Sequence, residues 1–327
     1  MVWLALAGAS GVIAGTAVST RAIATPRVSF SPEWQQTPHD FGFAVAMRGE
    51  HPYAVGNFGI IRGTLGGAGA TPAKSSVTWA RVADSGDESL LGIAFSPDGR
   101  GVAAGQVGLM LEAAADSDNW HRLESPDRRR LFAVAASESG AFLVAGELGV
   151  LLYQHPDGAR FQEVKTKWSG FEAPNFYDAT FISPDTAVVV GESGHLLTVT
   201  NGAISAVLEA GQESLYAVRR CGDGIYAVGQ EGRVEVKLRQ REWLASTVPG
   251  GPDLYALACI HDAALAAVGA GSLYLANGLG DKLSWQNVTP PSVQVSWFSG
   301  VAALSPSSSL LLTGPGGLWE ARLSDVE

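Results

Sequence analysis

The sequence predicts an all-β, seven-bladed β-propeller, and three observations support this. A unit of two short apolar strands and a glycine-rich turn occurs seven times in the 327 residues. Its first glycine recurs at intervals from 38 residues (Gly191 to Gly229) to 49 residues (Gly56 to Gly105), close to the length of a four-stranded blade. The 40 glycines and the 17% of charged residues are typical of a chain with many turns and much buried strand.

Each unit predicts the same four strands. The first strand is rich in small residues, which suits an innermost strand beside a crowded central channel. The second strand is a continuous apolar run, such as Phe142 to Ala145, which indicates cover on both faces by neighbouring blades. The turn after it needs glycine for positive φ or for close backbone approach, and a third apolar strand follows. The fourth strand carries a large side chain: Trp79, Trp120, Phe161, Ile204, Trp243 and Trp285.

The last unit lacks a fourth strand of its own, because the chain ends soon after Trp319. A segment of fourth-strand character, starting at Val28, stands before the first unit instead. We therefore predict that this N-terminal strand closes the last blade by pairing with Leu318 to Ala321, which removes exposed sheet edges. Residues 25–327 then form a single seven-bladed β-propeller domain.

Residues 1–24 have a different character. The segment from Val2 to Val18 is apolar, and Ala22-Ile23-Ala24 provides a small-x-small cleavage site. We interpret residues 1–24 as a signal peptide, which predicts an exported, periplasmic or otherwise extracytoplasmic protein. The alternative is a membrane anchor formed by residues 2–18, although this run is short for a full span of about 20 residues.

Charge and cysteine content limit the function classes. The net charge of −10 and the pI of about 5.1 disfavour nucleic acid as a partner, because an acidic surface repels phosphate backbones. The two cysteines, Cys221 and Cys259, occupy similar places in consecutive units. A disulfide is sterically conceivable, but two separate thiols are the expectation from spacing alone.

Two sets of residues are candidate binding elements. The first is a basic and aromatic set in two loops between blades, where exposed aromatic side chains and arginines have the composition of interface hot spots. It consists of Arg128, Arg129, Arg130, Trp168, Phe171 and Tyr177. The alternative is that the arginines are a solvated loop, and that Phe176 and Tyr177 begin a buried inner strand.

The second set, here named the polar arc, follows the first glycine of five turns and should surround one mouth of the channel. It consists of Asn57, Gln106, Glu147, Glu192 and Gln230. The alternative for these side chains is that they cap backbone groups of the turns or face solvent.

The repeat unit resembles that of the photosystem II stability/assembly-factor propellers and their bacterial relatives, within the group with neuraminidase-like Asp-box repeats. Leu91 to Leu111 is the most similar stretch, and the resemblance covers residues 28–323. The Asp-Gly segment before the aromatic residue is degraded here, as in Asp116 to Trp120. The arginine patch of the photosynthetic members reduces to Arg128 to Arg130, so the resemblance favours the non-photosynthetic relatives, exported accessory partners of membrane transport systems.

No motif predicts catalysis, a metal site or a cofactor. The six histidines show no i, i+4 pair, and the glycine-rich segments do not open helices that could hold phosphate. A sialidase-like glycosidase would need a Tyr–Glu pair among arginines, which no pattern assigns. We therefore predict a non-enzymatic, monomeric scaffold that binds a membrane or envelope protein. The alternatives are a glycan-active hydrolase and a protein that binds a small ligand at the channel mouth.

Overall fold

A computed structural model describes residues 28–31, 41–65, 77–158, 160–168, 170–209, 211–239, 241–260, 264–277, 279–280, 283–290, 293, 295–304 and 309–323, referred to below as the described residues. They contain seven four-stranded antiparallel sheets and no α-helix, which confirms the predicted seven-bladed propeller. The predicted signal peptide at 1–24 and the alternative anchor at 2–18 lie outside the described residues. No helix among those residues has the length and apolar character to cross a membrane.

The strands are given blade by blade, from the channel outwards. Blade 1 is β2 (Gly42–Arg48), β3 (His51–Gly56), β4 (Gly59–Thr64) and β5 (Thr78–Ala83). Blade 2 is β6 (Leu90–Phe95), β7 (Gly101–Gly105), β8 (Met110–Ala113) and β9 (His121–Arg122). Blade 3 is β10 (Leu131–Ala136), β11 (Phe142–Gly146), β12 (Leu151–Gln154) and β13 (Gln162–Glu163). Blade 4 is β14 (Phe176–Phe181), β15 (Thr186–Gly191), β16 (His195–Thr200) and β17 (Ala203–Glu209).

The remaining blades follow the same plan. Blade 5 is β18 (Leu215–Cys221), β19 (Gly224–Gly229), β20 (Arg233–Leu238) and β21 (Leu244–Thr247). Blade 6 is β22 (Leu254–Ile260), β23 (Ala264–Gly269), β24 (Leu273–Asn277) and β25 (Ser284–Asn287). Blade 7 is β26 (Gly300–Leu304), β27 (Ser309–Gly314), β28 (Gly317–Leu323) and β1 (Val28–Ser31). Short 3₁₀ turns occupy Gln106–Gly108, Glu147–Gly149, Gly170–Glu172, Glu192–Gly194 and Gln230–Gly232.

The N-terminal strand closes the last blade as predicted, but it pairs two residues further along β28 than the predicted Leu318 to Ala321. β1 pairs antiparallel with β28, from Val28 opposite Leu323 to Ser31 opposite Glu320. The blade that ends the chain is thus completed by the strand that begins the described part of it. In a closed ring of this kind the inner sheet edges face the channel, where they are protected from other chains.

Glycine is required at the two repeated positions for two different physical reasons, as blade 2 illustrates. A Cβ on Gly105 would lie 2.1 Å from the carbonyl oxygen of Ser89, so the second strand can pass the start of the inner strand only without a side chain. Gly108 has φ of +68°, a conformation that favours glycine. The regular spacing of the sequence therefore reports a backbone requirement of each blade.

The core lies between the blades rather than in one central cluster. Leu143 and Leu151 of blade 3, for example, are buried in one cluster with Val189 and Leu197 of blade 4. Each sheet is thus covered on both faces, which explains the continuous apolar runs of the second and third strands. Because neighbouring sheets pack face to face, the ring is a rigid support for its loops.

A disulfide joins blades 5 and 6, and the expectation of two separate thiols is wrong. Cys221 ends β18 and Cys259 lies near the end of β22, with Cα atoms 5.6 Å apart. The two inner strands pass side by side at the channel, which brings the equivalent ends of consecutive units within bonding distance. Repeat spacing alone does not reveal this proximity.

Candidate functional site: the loop face and the channel mouth

One face of the ring carries both the connections between blades and the turns between second and third strands; we call it the loop face. The two kinds of segment meet because the N–H of Gln106 donates to the carbonyl oxygen of Ser89 at 2.9 Å, and that of Glu147 to Arg130 at 2.8 Å. Inner strands therefore begin at this face. Both predicted sets of binding residues lie on it.

The three arginines have different surroundings. Arg129 is held in place: its guanidinium binds the Asp127 carboxylate, with Nη2 at 2.5 Å from Oδ2, and donates to the Leu148 carbonyl oxygen at 2.7 Å. The Arg129 guanidinium holds the pKa of Asp127 below its usual range. Arg130 is exposed and lies 3.5 Å from the Glu147 carboxylate, and Arg128 is exposed. Arg129 thus shapes the loop, while Arg128 and Arg130 present charge to solvent.

The aromatic loop lies on the other side of the same turn. The N–H of Leu148 donates to Asn175 Oδ1 at 3.0 Å, so the turn at Glu147–Gly149 joins the arginine loop to the segment before blade 4. In that segment Phe171 is 96% exposed. Trp168 is half-buried and packs edge-on against Phe176, with ring centroids 5.8 Å apart. The structure therefore places the arginine loop and Phe171 on either side of one turn, Glu147–Gly149, on the loop face.

Tyr177 has a different location. It begins β14, as the alternative interpretation expected, but it is only half-buried and faces the channel mouth, while Phe176 is fully buried. The ring of Tyr177 lies between those of Phe132 (5.7 Å) and Tyr216 (5.3 Å), and Tyr216 contacts Tyr255 at 5.5 Å. These four residues form a continuous aromatic arc across blades 3 to 6.

The aromatic arc results from a recurrent β-bulge. In blades 1 to 6 the pairing of the inner strand with the second strand skips one residue near its start, and that residue turns toward the channel. The skipped residues are Phe43, Leu91, Phe132, Tyr177, Tyr216 and Tyr255. All six, with Ser299 of blade 7, border a mouth cavity of about 100 Å³. We call them the mouth ring.

The polar arc caps backbone groups. Side-chain oxygens of four members accept N–H groups from the residue before the inner strand of the same blade, at 3.1 to 3.4 Å: Gln106 from Ser89, Glu147 from Arg130, Glu192 from Asn175 and Gln230 from Ser214. Asn57 accepts the Ser89 hydroxyl at 2.6 Å. This is the arrangement of the alternative interpretation. The mouth cavity is bordered by the mouth ring and not by the polar arc.

The tyrosines of the mouth ring are protonated donors at neutral pH. Burial raises the pKa of Tyr177, Tyr216 and Tyr255, and the carboxylate of Glu192 or Asp253 raises it further. A ligand at the mouth would therefore meet aromatic rings and neutral hydroxyl groups.

A charged pair lies deeper in the channel. Asp178 Oδ2 accepts from Arg219 Nη1 at 2.5 Å and from the Val218 N–H at 2.9 Å. Burial raises the pKa of the Asp178 carboxyl, and the Arg219 guanidinium opposes that shift. Arg219 borders both the mouth cavity and a second cavity of about 370 Å³ on the opposite side, so it lies at the level where the two meet.

The described residues include few side chains that are placed as a glycosidase would need them. The carboxylate that borders the mouth cavity, Asp178, is already paired with Arg219. A tyrosine–carboxylate–arginine group does exist between blades 1 and 2, where Asp118 accepts from Tyr53 at 2.6 Å and from Arg62 at 2.8 Å. Tyr53 is 2% exposed, so this group joins two blades. Among the described residues, no three His, Cys, Asp or Glu side chains group in a way that could hold a metal ion.

Comparison with solved structures supports the fold. The WD40 β-propeller domain of Doa1 superimposes with a TM-score of 0.70 at 10% identity, over 93% of this chain and 98% of that one. U3-55K gives a TM-score of 0.57 at 14% identity, over 69% of this chain and 75% of that one. No family model and no curated protein sequence matches the chain. The fold is thus a seven-bladed β-propeller, and the resemblance to the photosystem II assembly-factor propellers stays a prediction.

Sequence reasoning missed the mouth ring, although a signal was present. The dipeptides Leu215-Tyr216 and Leu254-Tyr255 occupy the same place in consecutive units, as do Leu131-Phe132 and Phe176-Tyr177. A large residue directly after the buried first residue of an inner strand breaks the alternation expected for a regular strand. The break in alternation in these four units indicates a β-bulge.

Proposed function

We propose that this protein is an exported, non-enzymatic scaffold that binds a protein partner through its loop face. The propeller fold is consistent with a protein-binding role. The observation that carries the proposal is Phe171, a large apolar side chain that is 96% exposed on the loop face. The Glu147–Gly149 turn separates it from the loop with the solvent-facing Arg128 and Arg130. An aromatic anchor with flanking arginines is the usual composition of an interface hot spot.

The rest of the proposal concerns place and partner. Export is supported by the apolar, small-residue segment of residues 1–24 and by the Cys221–Cys259 disulfide, since such bridges persist in oxidising compartments. The sequence resemblance suggests a membrane or envelope protein as the partner, in the class of transport systems.

The test is quantitative affinity purification of the tagged chain from its native envelope. We expect an envelope protein to co-purify with the wild type, to be reduced at least about tenfold with Phe171→Ala, and to be reduced in a salt-dependent way with Arg128→Ala/Arg130→Ala. Arg129 is left intact because it shapes the loop. Leu244→Ala, at an exposed apolar position on the outer strand β21, is the matched control. Equal recovery with Phe171→Ala and Leu244→Ala would rule out this surface.

A second candidate function is the binding of a small ligand at the channel mouth, favoured by the mouth ring. Tyr216→Ala would remove the middle of the aromatic arc and enlarge the cavity, whereas Tyr216→Phe keeps the ring and removes one hydroxyl. A ligand found by native mass spectrometry of the purified chain should be lost with Tyr216→Ala and largely kept with Tyr216→Phe. The absence of any ligand dependent on Tyr216 would exclude this candidate.

A further inference from the structure

The outer strand of blade 4, β17, differs from the other outer strands. β9 and β13 have two residues each, both polar or charged, and β5 carries Arg81. β17 has seven residues, Ala-Ile-Ser-Ala-Val-Leu-Glu, without proline and without charge before its last position. Short length, charge and proline are means by which proteins keep sheet edges from pairing, and β17 has only one of them, the charge of Glu209 at its end.

The apolar side chains of β17 are open to solvent. Val207 is 37% exposed and Leu208 is 41% exposed. They lie on opposite faces of the sheet, because Val207 pairs with Leu197, which is buried toward blade 3, and Leu208 pairs with Leu196, which is buried toward blade 5. One side of the strand pairs with β16, and the other side has no partner strand among the described residues.

A β-bulge limits the usable part of the edge. Ser205 is skipped in the pairing, and its hydroxyl donates to the Thr198 carbonyl oxygen at 3.1 Å. From Ala206 to Glu209 the pairing with β16 is regular again. The accessible edge is therefore this second part of β17, which contains both exposed apolar side chains.

We propose that the Ala206–Glu209 edge of β17 binds an extended, uncharged or basic peptide segment of another protein by strand addition. Unpaired backbone N–H and C=O groups along an edge are satisfied by another extended backbone. Val207 and Leu208 require apolar side chains at two consecutive positions of the guest, one for each face. The net charge of −10 disfavours an acidic guest.

A second copy of this chain fits the edge less well. A seven-residue strand is roughly 23 Å long, so two rigid rings that met along it would bury far less than the roughly 800 Å² per partner of a stable interface. Two molecules of net charge −10 also repel each other. A peptide segment needs only the strand itself. This edge is a second binding surface, separate from the loop face.

The test uses a labelled, end-blocked heptapeptide without charges, with valine and leucine at two consecutive central positions, and measures fluorescence anisotropy with the full chain. We expect saturable binding that Val207→Lys and Leu208→Lys each weaken at least about tenfold. Leu244→Lys, at the exposed apolar position of β21, should leave binding unchanged. Equal weakening by Leu244→Lys would show non-specific adhesion and overturn the proposal.

Two further measurements use the wild-type chain and so do not depend on the folding of a variant. The same peptide N-methylated at alternate residues should not bind, and the unmodified peptide should slow amide hydrogen exchange between Ala206 and Glu209. Binding of the N-methylated peptide would exclude strand addition. If the free chain sediments as a dimer and Val207→Lys converts it to a monomer, the edge is occupied by a second copy of the chain. That result would also overturn the proposal.

Discussion

The junction between blades 5 and 6 and the junction between blades 7 and 1 hold neighbouring sheets together by different means. The first has a covalent bond, Cys221–Cys259, at the ends of β18 and β22. The second has no covalent bond among the described residues and depends on the pairing of β1 with β28 within blade 7 and on contacts such as the stacking of Phe41 and Phe43 on Trp297, at 6.3 and 6.2 Å.

The difference indicates where the ring resists opening and where it can open. Blades 1 to 6 are each formed by consecutive strands, so their sheets need no distant segment. Blade 7 is complete only when the first and last strands meet. We expect unfolding to begin at the junction of blades 7 and 1 while the disulfide still holds blades 5 and 6 together.

The largest expected effect tests the covalent junction. Replacing both cysteines, Cys221→Ala and Cys259→Ala, removes a link across 38 residues, which the chain-entropy estimate values at about 4 kcal/mol. Urea unfolding should show a loss of that order, and a reducing agent should produce it in the wild type and not in the double variant. Equal stability of both proteins would show that the bridge does not limit unfolding.

A smaller effect is expected at the closing strand. Backbone N–H groups of β1 alternate between β28 and solvent, so proline at Ser29 or at Phe30 removes a ladder hydrogen bond in one case only. We expect the more harmful of the two to cost about 2–3 kcal/mol and the other clearly less. Thermal unfolding of the pair measures the difference. Two harmless substitutions would mean that β1 does not contribute to ring closure.

Two glycines of the inner strands allow the junction between blades 2 and 3 to be compared with the closing junction between blades 7 and 1. A Cβ on Gly92 would lie 2.9 Å from the Cα of Ala133, whereas one on Gly42 would lie 3.2 Å from the Thr313 side chain. Gly92→Ala should therefore force two backbones apart and cost about 2 kcal/mol, while Gly42→Ala should cost about 1 kcal/mol because Thr313 has to shift by only a few tenths of an ångström. The reverse order in chemical unfolding would contradict this account of strand packing.

The smallest effect concerns a polar tie between blades 2 and 3. Asp127→Asn should cost about 1 kcal/mol at pH 7, because it weakens the ion pair that holds Arg129. The folded pKa of Asp127 lies below its ordinary value of 3.8, so this stability is present above pH 3.8 and is lost as the pH falls through the folded pKa. Urea midpoints of the two proteins should converge in acid. A constant difference would assign the effect to something other than ionisation.

The fold could be predicted because each blade needs a glycine at the same backbone position, and this requirement is visible in the sequence. A side chain at Gly105 would collide with the backbone at Ser89, so a glycine stands there in every unit and blades can be counted from it. The N-terminal strand at Val28 could be predicted to close the ring for the same reason, because the last blade needs a fourth strand.

The site could be predicted only in part. Residue types in long loops predict Arg128, Arg130 and Phe171 as exposed binding residues; the structure exposes all three, and their part in binding stays a prediction. The sequence predicts Tyr177 as a member of the same binding set, but Tyr177 belongs to the mouth ring, because a bulge is a property of two paired strands and not of one segment. The bond between Cys221 and Cys259 was missed because it depends on the distance between two blades.

The pairing of β1 with β28 has a consequence for biosynthesis. Leu323 follows its partner Val28 by 295 residues, so β1 waits for its pairing partner until β28 has been synthesised. At about 5–20 residues per second, that wait is on the order of 15–60 s. During it β1 has no edge of β28 to pair with, so blade 7 stays incomplete until β28 has been synthesised.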